Sequence, residues 1–358
     1  MARLPEDLKN TLIRRQVFLE RHKVGEIEAF QPFLEQMRLG VINTLATDIT
    51  DLNRARLQKK LDGLNDTLSD VYKDYRKVWL KQARDLATEE VGFNARAINT
   101  VIDEGVALPT PLQLETALLE RPLHIEGPHT GKLLDQFFVD ITANEVKKVE
   151  NVINLGFAQG ETTPQIVSRV LGTARSRFRD GTFKEVQRSA EALTRTALTH
   201  ASNAAKQSLY EKNSRFIKKV EWISTLDVRT TTICKSLDGQ QYPLNKGPRP
   251  PIHIGCRSVM GPAFDERFKF LDEDATRASR NDDGVERVKA EHTYYSWLKT
   301  QDKDFQDKAI GPRWGKLFRE GGLSAGRFAE LRLDRQFQPI TLIELKELEP
   351  VAFSKAGL

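Results

Sequence analysis

Cysteine is scarce in this chain, with two residues among 358, which excludes a small disulfide-stapled scaffold and fits synthesis in a reducing cytosol. No uninterrupted apolar run reaches the roughly 18 residues of a membrane-spanning helix. The opening Met1-Ala2-Arg3-Leu4-Pro5-Glu6-Asp7 has no apolar segment and soon carries acids, so no secretory signal is expected there. Repeats of about 20–50 residues and low-complexity tracts are lacking. The phosphate loops GxxxxGK[ST] and GxGxxG do not occur, nor does HExxH. The acids form no pair that its neighbours mark as catalytic. The chain does not read as an enzyme.

What is present points to a folded, charged protein. A hydrophobic fraction of 39% with 29% charged residues excludes collagen-like and wholly disordered classes. The length suits two or three domains and is ample for a core. Positive charge is concentrated: positions 169–219 hold twelve Lys or Arg against four Asp or Glu, a net +8 in a chain whose formal total is +5. A slightly acidic remainder with one basic segment suggests contact with a polyanion or an acidic protein surface, the alternative being a solvated helix face.

The first hundred residues read as helices. Leu57, Leu61, Leu64, Leu68, Val71, Tyr75 and Val78 recur at steps of four and three, a heptad seam. Phe30, Leu34, Met37, Val41 and Leu45 form a shorter one, with a turn expected over 48–51 between them. An antiparallel hairpin would let the seams bury each other, and a third helix is expected over 80–102. Thr110-Pro111 and Thr163-Pro164 read as caps followed by proline at a helix start. Helices are expected over 133–157 and 184–212. Val220, Trp222 and Ser224 alternate as in a half-buried strand, and Asp238-Gly239 turns into a return strand at Gln240–Tyr242. Positions 243–262, rich in proline, read as an irregular loop. Helix resumes over 286–300, Ser324 caps another over 325–333, and Thr341 with Glu344 makes a capping box. The expected fold is mainly α with a small β element (α+β). Its divisions are a helical hairpin domain over 1–106, a linker over 107–132, an α+β domain over 133–348 and a tail over 349–358.

The unusual residues cluster between Trp222 and Ser258. Trp222 should be buried against Pro250-Pro251, and Asp227 and Arg229, sharing a face of extended chain, should hold the turn as an ion pair. Cys234, His253 and Cys256 are the candidate metal ligands. Structural zinc wants four, so a fourth would have to come from Asp227, Asp238 or a neighbour. A loop held by hydrogen bonds with inert buried thiols, and a disulfide, are the alternatives, the disulfide disfavoured by compartment. With three good ligands, metal is expected to be absent or non-essential. Cys–His nucleophilic chemistry lacks a supporting flanking sequence. On the long helix, Thr196, His200, Asn203 and Gln207 make a polar stripe beside small residues, and His200 reads as a buried histidine bonded to the strand region. The basic residues Arg169, Arg175, Arg177, Arg179, Lys184 and Arg188 are the candidate contacts for DNA or another acidic partner.

Together these residues carry a resemblance. Thr194-Arg195-Thr196-Ala197, Trp222-x-Ser224-Thr225-Leu226-Asp227-x-Arg229-Thr230, Ile233-Cys234, Leu237-Asp238-Gly239, Tyr242 and Pro250-Pro251-x-His253-x-x-Cys256-Arg257-Ser258 resemble the phage head morphogenesis family, the minor head proteins similar to phage Mu F. Downstream, Tyr294-x-x-Trp297-Leu298, Phe305, Leu317-Phe318, Gly321-Gly322-Leu323-Ser324 and Arg327-Phe328 fit as well, so the resemblance spans 133–348. It implies a low-copy component of the virion head, next to the portal protein and the major capsid or scaffolding proteins. It further implies a role in packaging or delivering double-stranded DNA, with assembly in the host cytoplasm and no membrane involved. An internal DNA-binding protein ejected with the genome is the alternative, and a metal-dependent nuclease the third. Some members carry Cys-x-x-Cys after the Asp-x-Arg. Here the first of those cysteines is Thr231, which weakens the metal reading.

Overall fold

The leucine seam that begins at Leu57 winds one long helix, and much of the chain packs along it. The computed structural model describes residues 8–49, 52–102, 105–264 and 276–358. Helices α1 (Leu8–Glu28) and α2 (Gln31–Thr44) precede α3 (Arg54–Asn99), whose 46 residues extend about 69 Å. The Asn53 side chain caps α3 by accepting the Arg56 N–H at 2.9 Å. The expected hairpin is present. Phe30 meets Tyr75 with ring centroids 4.8 Å apart, and Lys60 reaches the Thr44 carbonyl at 3.2 Å near the other end.

Three details differ from the sequence reading. Val78 is not on the seam: it is 37% exposed, and Trp79 is buried instead. A straight helix turns every 3.6 residues and drifts off a strict heptad, so the buried stripe steps from Tyr75 to Trp79 and Ala83. The separate helix expected over 80–102 is the second half of α3, because no proline interrupts it and Gly92 costs only about 1 kcal/mol. Of the turn expected over 48–51, Asp48 and Ile49 lie in the connection between α2 and α3, and residues 50 and 51 fall outside the described residues.

The stretch expected as a linker is folded. It contains α4 (Pro111–Leu119), which Thr110 caps in a capping box with Gln113, and Leu118, Leu123 and Ile125 are buried. Next come α5 (Leu134–Ala158), α6 (Thr163–Leu171) and α7 (Thr182–Lys212). The N-cap of α6 is Thr162 rather than Thr163, with its N–H on the Gln165 side chain at 2.8 Å. One apolar core draws side chains from α2, α3, α5, α6 and α7. Packing therefore runs across the division expected at 106–133.

After α7 the chain forms β1 (Ile217–Ile223), α8 (Thr232–Leu237), β2 (Gln241–Pro243) and β3 (Val259–Phe264). The strands make an antiparallel sheet in the order β2-β1-β3, with Val220 opposite Tyr242 and Trp222 opposite Met260. Strand β2 is the expected return strand. Strand β3 lies where an irregular loop was expected, because Pro262 disguises it. On an edge strand a missing N–H is tolerated. A second hairpin, β4 (Thr276–Asn281) with β5 (Gly284–Lys289), replaces the helix expected from Glu286. Its turn is set by the Asn281 side chain, which accepts the Asp283 N–H at 3.1 Å, and by Gly284 at φ 130°.

The remainder is helical: α9 (Tyr294–Leu298), α10 (Lys303–Ile310), α11 (Pro312–Glu320), α12 (Ala325–Glu330), α13 (Leu342–Leu348) and α14 (Pro350–Ala356). Ser324 and Thr341 cap α12 and α13 as expected. The expected tail is α14, and its Phe353 is buried in one core with Tyr295, Phe318 and Phe328. The architecture is mainly α with a small β element. Among the described residues no helix is long and apolar enough to cross a membrane.

Candidate functional site

The residues singled out between 222 and 258 converge where α7, β1, α8 and the proline-rich loop meet. Trp222 is fully buried, and its indole N–H donates to the Ser224 hydroxyl at 3.0 Å. That hydroxyl in turn donates to the Cys234 carbonyl at 2.7 Å. The Asp238-Gly239 turn folds back on the same strand, with the Gly239 N–H on the Trp222 carbonyl at 2.8 Å. Gly239 has φ 82°, and a Cβ there would lie 2.7 Å from the Thr293 methyl, so only glycine fits.

Two arginine–aspartate forks brace this frame. Asp238 receives both terminal nitrogens of Arg277, at 2.9 and 3.1 Å, in a fully buried pair. Asp227 receives both terminal nitrogens of Arg257 at 2.7 Å each. Burial pushes the Asp227 carboxyl up, but Arg257 and the Thr230 hydroxyl outweigh it and hold it below the usual range. The ion pair expected between Asp227 and Arg229 does not form. Asp227 takes the Arg229 backbone N–H at 3.0 Å, as in an Asx turn, and the Arg229 side chain is exposed.

Cys234 and His253 come together from two separate elements, in side-chain contact. Thr231 is the N-cap of α8 and places Cys234 in its first turn. His253 and Cys256 are held by a turn in which the Cys256 N–H bonds the His253 carbonyl at 3.1 Å. Helix α7 fixes that turn from behind: the Thr196 hydroxyl accepts the Gly255 N–H at 3.1 Å, and the Thr199 hydroxyl donates to the Cys256 carbonyl at 3.1 Å. The polar stripe read on this helix is thus a docking seam. Asn203 accepts the Met260 N–H at 3.1 Å, and Gln207 donates to the Leu244 carbonyl at 2.5 Å. His200 is buried as expected, but it bonds the Leu118 carbonyl of α4 at 3.1 Å rather than a strand, because α4 packs against that face of α7.

The Cys234 sulfur lies 3.2 Å from His253 Nε2 and 3.8 Å from the Cys256 sulfur, and all three ligand atoms lie within 4.8 Å of one another. Zinc–sulfur bonds near 2.3 Å in a tetrahedron put two sulfurs about 3.8 Å apart, so the set fits a zinc-sized ion. His253 Nδ1 donates to the Ile254 carbonyl at 3.0 Å, which turns Nε2 toward the sulfurs, the atom through which the neutral ring would ligate a metal. Thr231 Oγ1 lies 2.9 Å from Nε2, beside the three ligand atoms. Asp227 and Asp238 do not belong to the cluster, and each is engaged by an arginine. Burial raises the Cys234 thiol. Burial also opposes ionisation of Cys256, but hydrogen bonds with Cys234 and His253 and the histidine's charge hold it well below an ordinary thiol. A cleft of about 340 Å³ opens beside the cluster, lined in part by Arg195, Arg229, Thr231 and His253.

The basic segment does not form one face. Lys206 is fully buried 3.1 Å from Glu90, which also takes Arg15 of α1 at 2.6 Å. Arg169 pairs with Glu161 at 2.5 Å, and Arg195 lies 3.7 Å from Glu20. Arg175, Arg177, Arg179 and Arg188 are exposed. Sequence reading missed Arg277, Glu90 and Lys206. Each looks like a solvent-facing charge in its local pattern, and only long-range packing buries it.

Residues 147–261 match the family model described as Phage Mu protein F like protein. The matched stretch runs from within α5 into β3 and includes the whole Cys234–His253–Cys256 cluster. It bears out the resemblance read from the residues, over a shorter span than 133–348. No curated protein and no solved structure matches the chain.

Proposed function

From a chain whose residues 147–261 are Phage Mu protein F-like, we propose a minor head protein of a tailed bacteriophage that joins the assembling head beside the portal and acts in packaging or delivery of the genome. The coarser statement, a phage head-related protein, rests on that match directly. The observation that carries the finer one is where the match falls. It covers the α7 docking seam, most of the three-stranded sheet and the loop that the Asp227–Arg257 fork braces. These parts are cross-braced by long-range hydrogen bonds and an ion pair, which suits a fixed place in an assembly. Asp227 and Asp238, which flank this frame, are both engaged by arginines, which favours a structural role for them over a catalytic one.

The partners proposed are the portal protein and the major capsid or scaffolding proteins. The test is to purify procapsids and mature heads made with and without this chain, and to measure its copies per particle by quantitative mass spectrometry and its neighbours by cross-linking. A few copies per head, cross-linked to the portal, are expected. Absence from heads, or copy numbers like those of the major capsid protein, would overturn the proposal. Loss of the chain from particles after genome release would favour an ejected internal protein.

A further inference from the structure

We propose that the loop of residues 173–181 is a docking surface for the sugar-phosphate backbone of duplex DNA. The inference rests on the head-protein reading above and names a contact within it. The loop joins α6 to α7 and carries Arg175, Arg177, Phe178 and Arg179, all exposed. Its backbone is built for display. Arg177 and Phe178 both have left-handed backbones, at φ 55° and 59°, a conformation costly for residues other than glycine. Two consecutive residues of this kind persist only where their surroundings hold them.

The Asp180 side chain does the holding. Its carboxylate accepts the Thr173 N–H at 2.7 Å, the Thr173 hydroxyl at 2.8 Å and the Ser176 hydroxyl. Those bonds hold the Asp180 carboxyl down at about 2, so the clamp stays charged at any working pH. The Phe178 N–H closes the loop on the Thr173 carbonyl at 2.8 Å. At its base, Gly181 packs so near Gly172 that a Cβ there would lie 2.2 Å from the Gly172 nitrogen. Asp180 turns its oxygens to the loop itself, and its single negative charge against Arg175, Arg177 and Arg179 leaves the loop with a net charge of +2.

Around the tip, Arg38 of α2 lies 5.7 Å from the Phe178 ring and pairs with Glu35 at 3.2 Å, and a cleft of about 390 Å³ is lined by Arg38, Arg177, Arg179 and Lys184 with Glu35 as its one acid. The exposed Arg188 lies further along α7. Guanidinium groups match phosphate oxygens in paired hydrogen bonds. Protein interfaces centre on a buried apolar patch, and here the loop offers a single half-exposed Phe178 among cations. The balance favours a phosphate backbone over an acidic protein surface. Nothing in the loop is arranged to read base edges, so binding is independent of sequence.

The experiment uses the full-length protein and fluorescently labelled duplexes of two unrelated sequences, with affinity measured by anisotropy across a salt series. Equal affinity for both sequences is expected, falling steeply as salt rises. In R175Q/R177Q/R179Q the slope of log affinity against log salt should shrink by about 2.7, at roughly 0.9 per lost phosphate contact. The R175K/R177K/R179K variant should keep most of that slope, which separates lost charge from a disturbed loop. K218Q/K219Q, on exposed residues of β1, should change neither affinity nor slope by much. An unchanged slope in the glutamine variant, or no duplex binding by the parent protein, overturns the inference. If the glutamine variant instead loses only its place in purified heads, the loop docks on a protein and the DNA inference fails. The head-protein reading stands or falls separately, on the presence of the parent chain in particles.

Discussion

Arg277 of β4 reaches across to the turn after α8 and closes a two-pronged ion pair on Asp238, with both side chains essentially out of water. The same guanidinium also bonds the carbonyls of Ser224 and His292. Charge thus ties the hairpin to the end of the Trp222 strand, beside the apolar contact of Ala278 with the Ile223 and Val259 cluster and the Arg280 N–H on the Leu226 carbonyl at 2.8 Å. Removing one partner strands the other in a dry site. Arg277→Ala or Asp238→Ala alone should each cost about 3–5 kcal/mol in denaturant unfolding. The double replacement should cost clearly less than the two single losses combined. Simple additivity would mean that the two side chains act independently.

Trp222 is fully buried in one apolar core with Ile233, Ile252, Cys256 and Met260. Trp222→Ala should destabilise the protein by about 3–5 kcal/mol. Trp222→Phe keeps most of the apolar contact but loses the bond to Ser224, and should fall well short of that. Equilibrium denaturation of the two variants gives the comparison, and near-equal losses would point to the hydrogen bond rather than to packing.

Thr231 stands where a fourth thiolate would complete the Cys234, His253 and Cys256 set. The parent protein should therefore hold zinc weakly, and a strong chelator should shift its melting temperature only slightly. Thr231→Cys supplies the missing ligand and should yield a protein that retains about one zinc per chain and melts markedly lower after chelation. Elemental analysis and calorimetry read both. A parent protein that unfolds when its metal is removed would show that three ligands already suffice.

His200 gives a pH dependence whose sign is fixed. The unfolded imidazole gains its proton near 6.5, whereas burial pushes the folded group down to about 4, helped by His124 and Arg121 facing it from the segment around α4. Stability from this group is full above about 6.5 and declines as pH falls toward 4, by roughly 3 kcal/mol in all. His200→Gln keeps a donor for the Leu118 carbonyl and removes the titration. Its stability should fall less than the parent's between pH 7 and 4. Parallel curves would assign the acid sensitivity elsewhere.

Much of this protein could be read from local sequence. The leucine seam of α3, the caps at Thr110, Ser324 and Thr341, and the return strand at Tyr242 depend on side chains within a few residues of one another, so their periodicity and turn chemistry are visible in the chain. The concentration of odd residues from Trp222 to Ser258 was visible for the same reason. Tertiary structure alone decided which charge meets which. Asp227 chose Arg257, thirty positions away, over Arg229, two positions away. On a tight turn the nearer residue offers its backbone N–H while its side chain points to solvent. Strand β3, the burial of Lys206 against Glu90 and the exposure of Arg175, Arg177 and Arg179 follow the same logic. A charged or proline-bearing segment has no local preference strong enough to set its environment, so the long-range contacts that exclude water determine it.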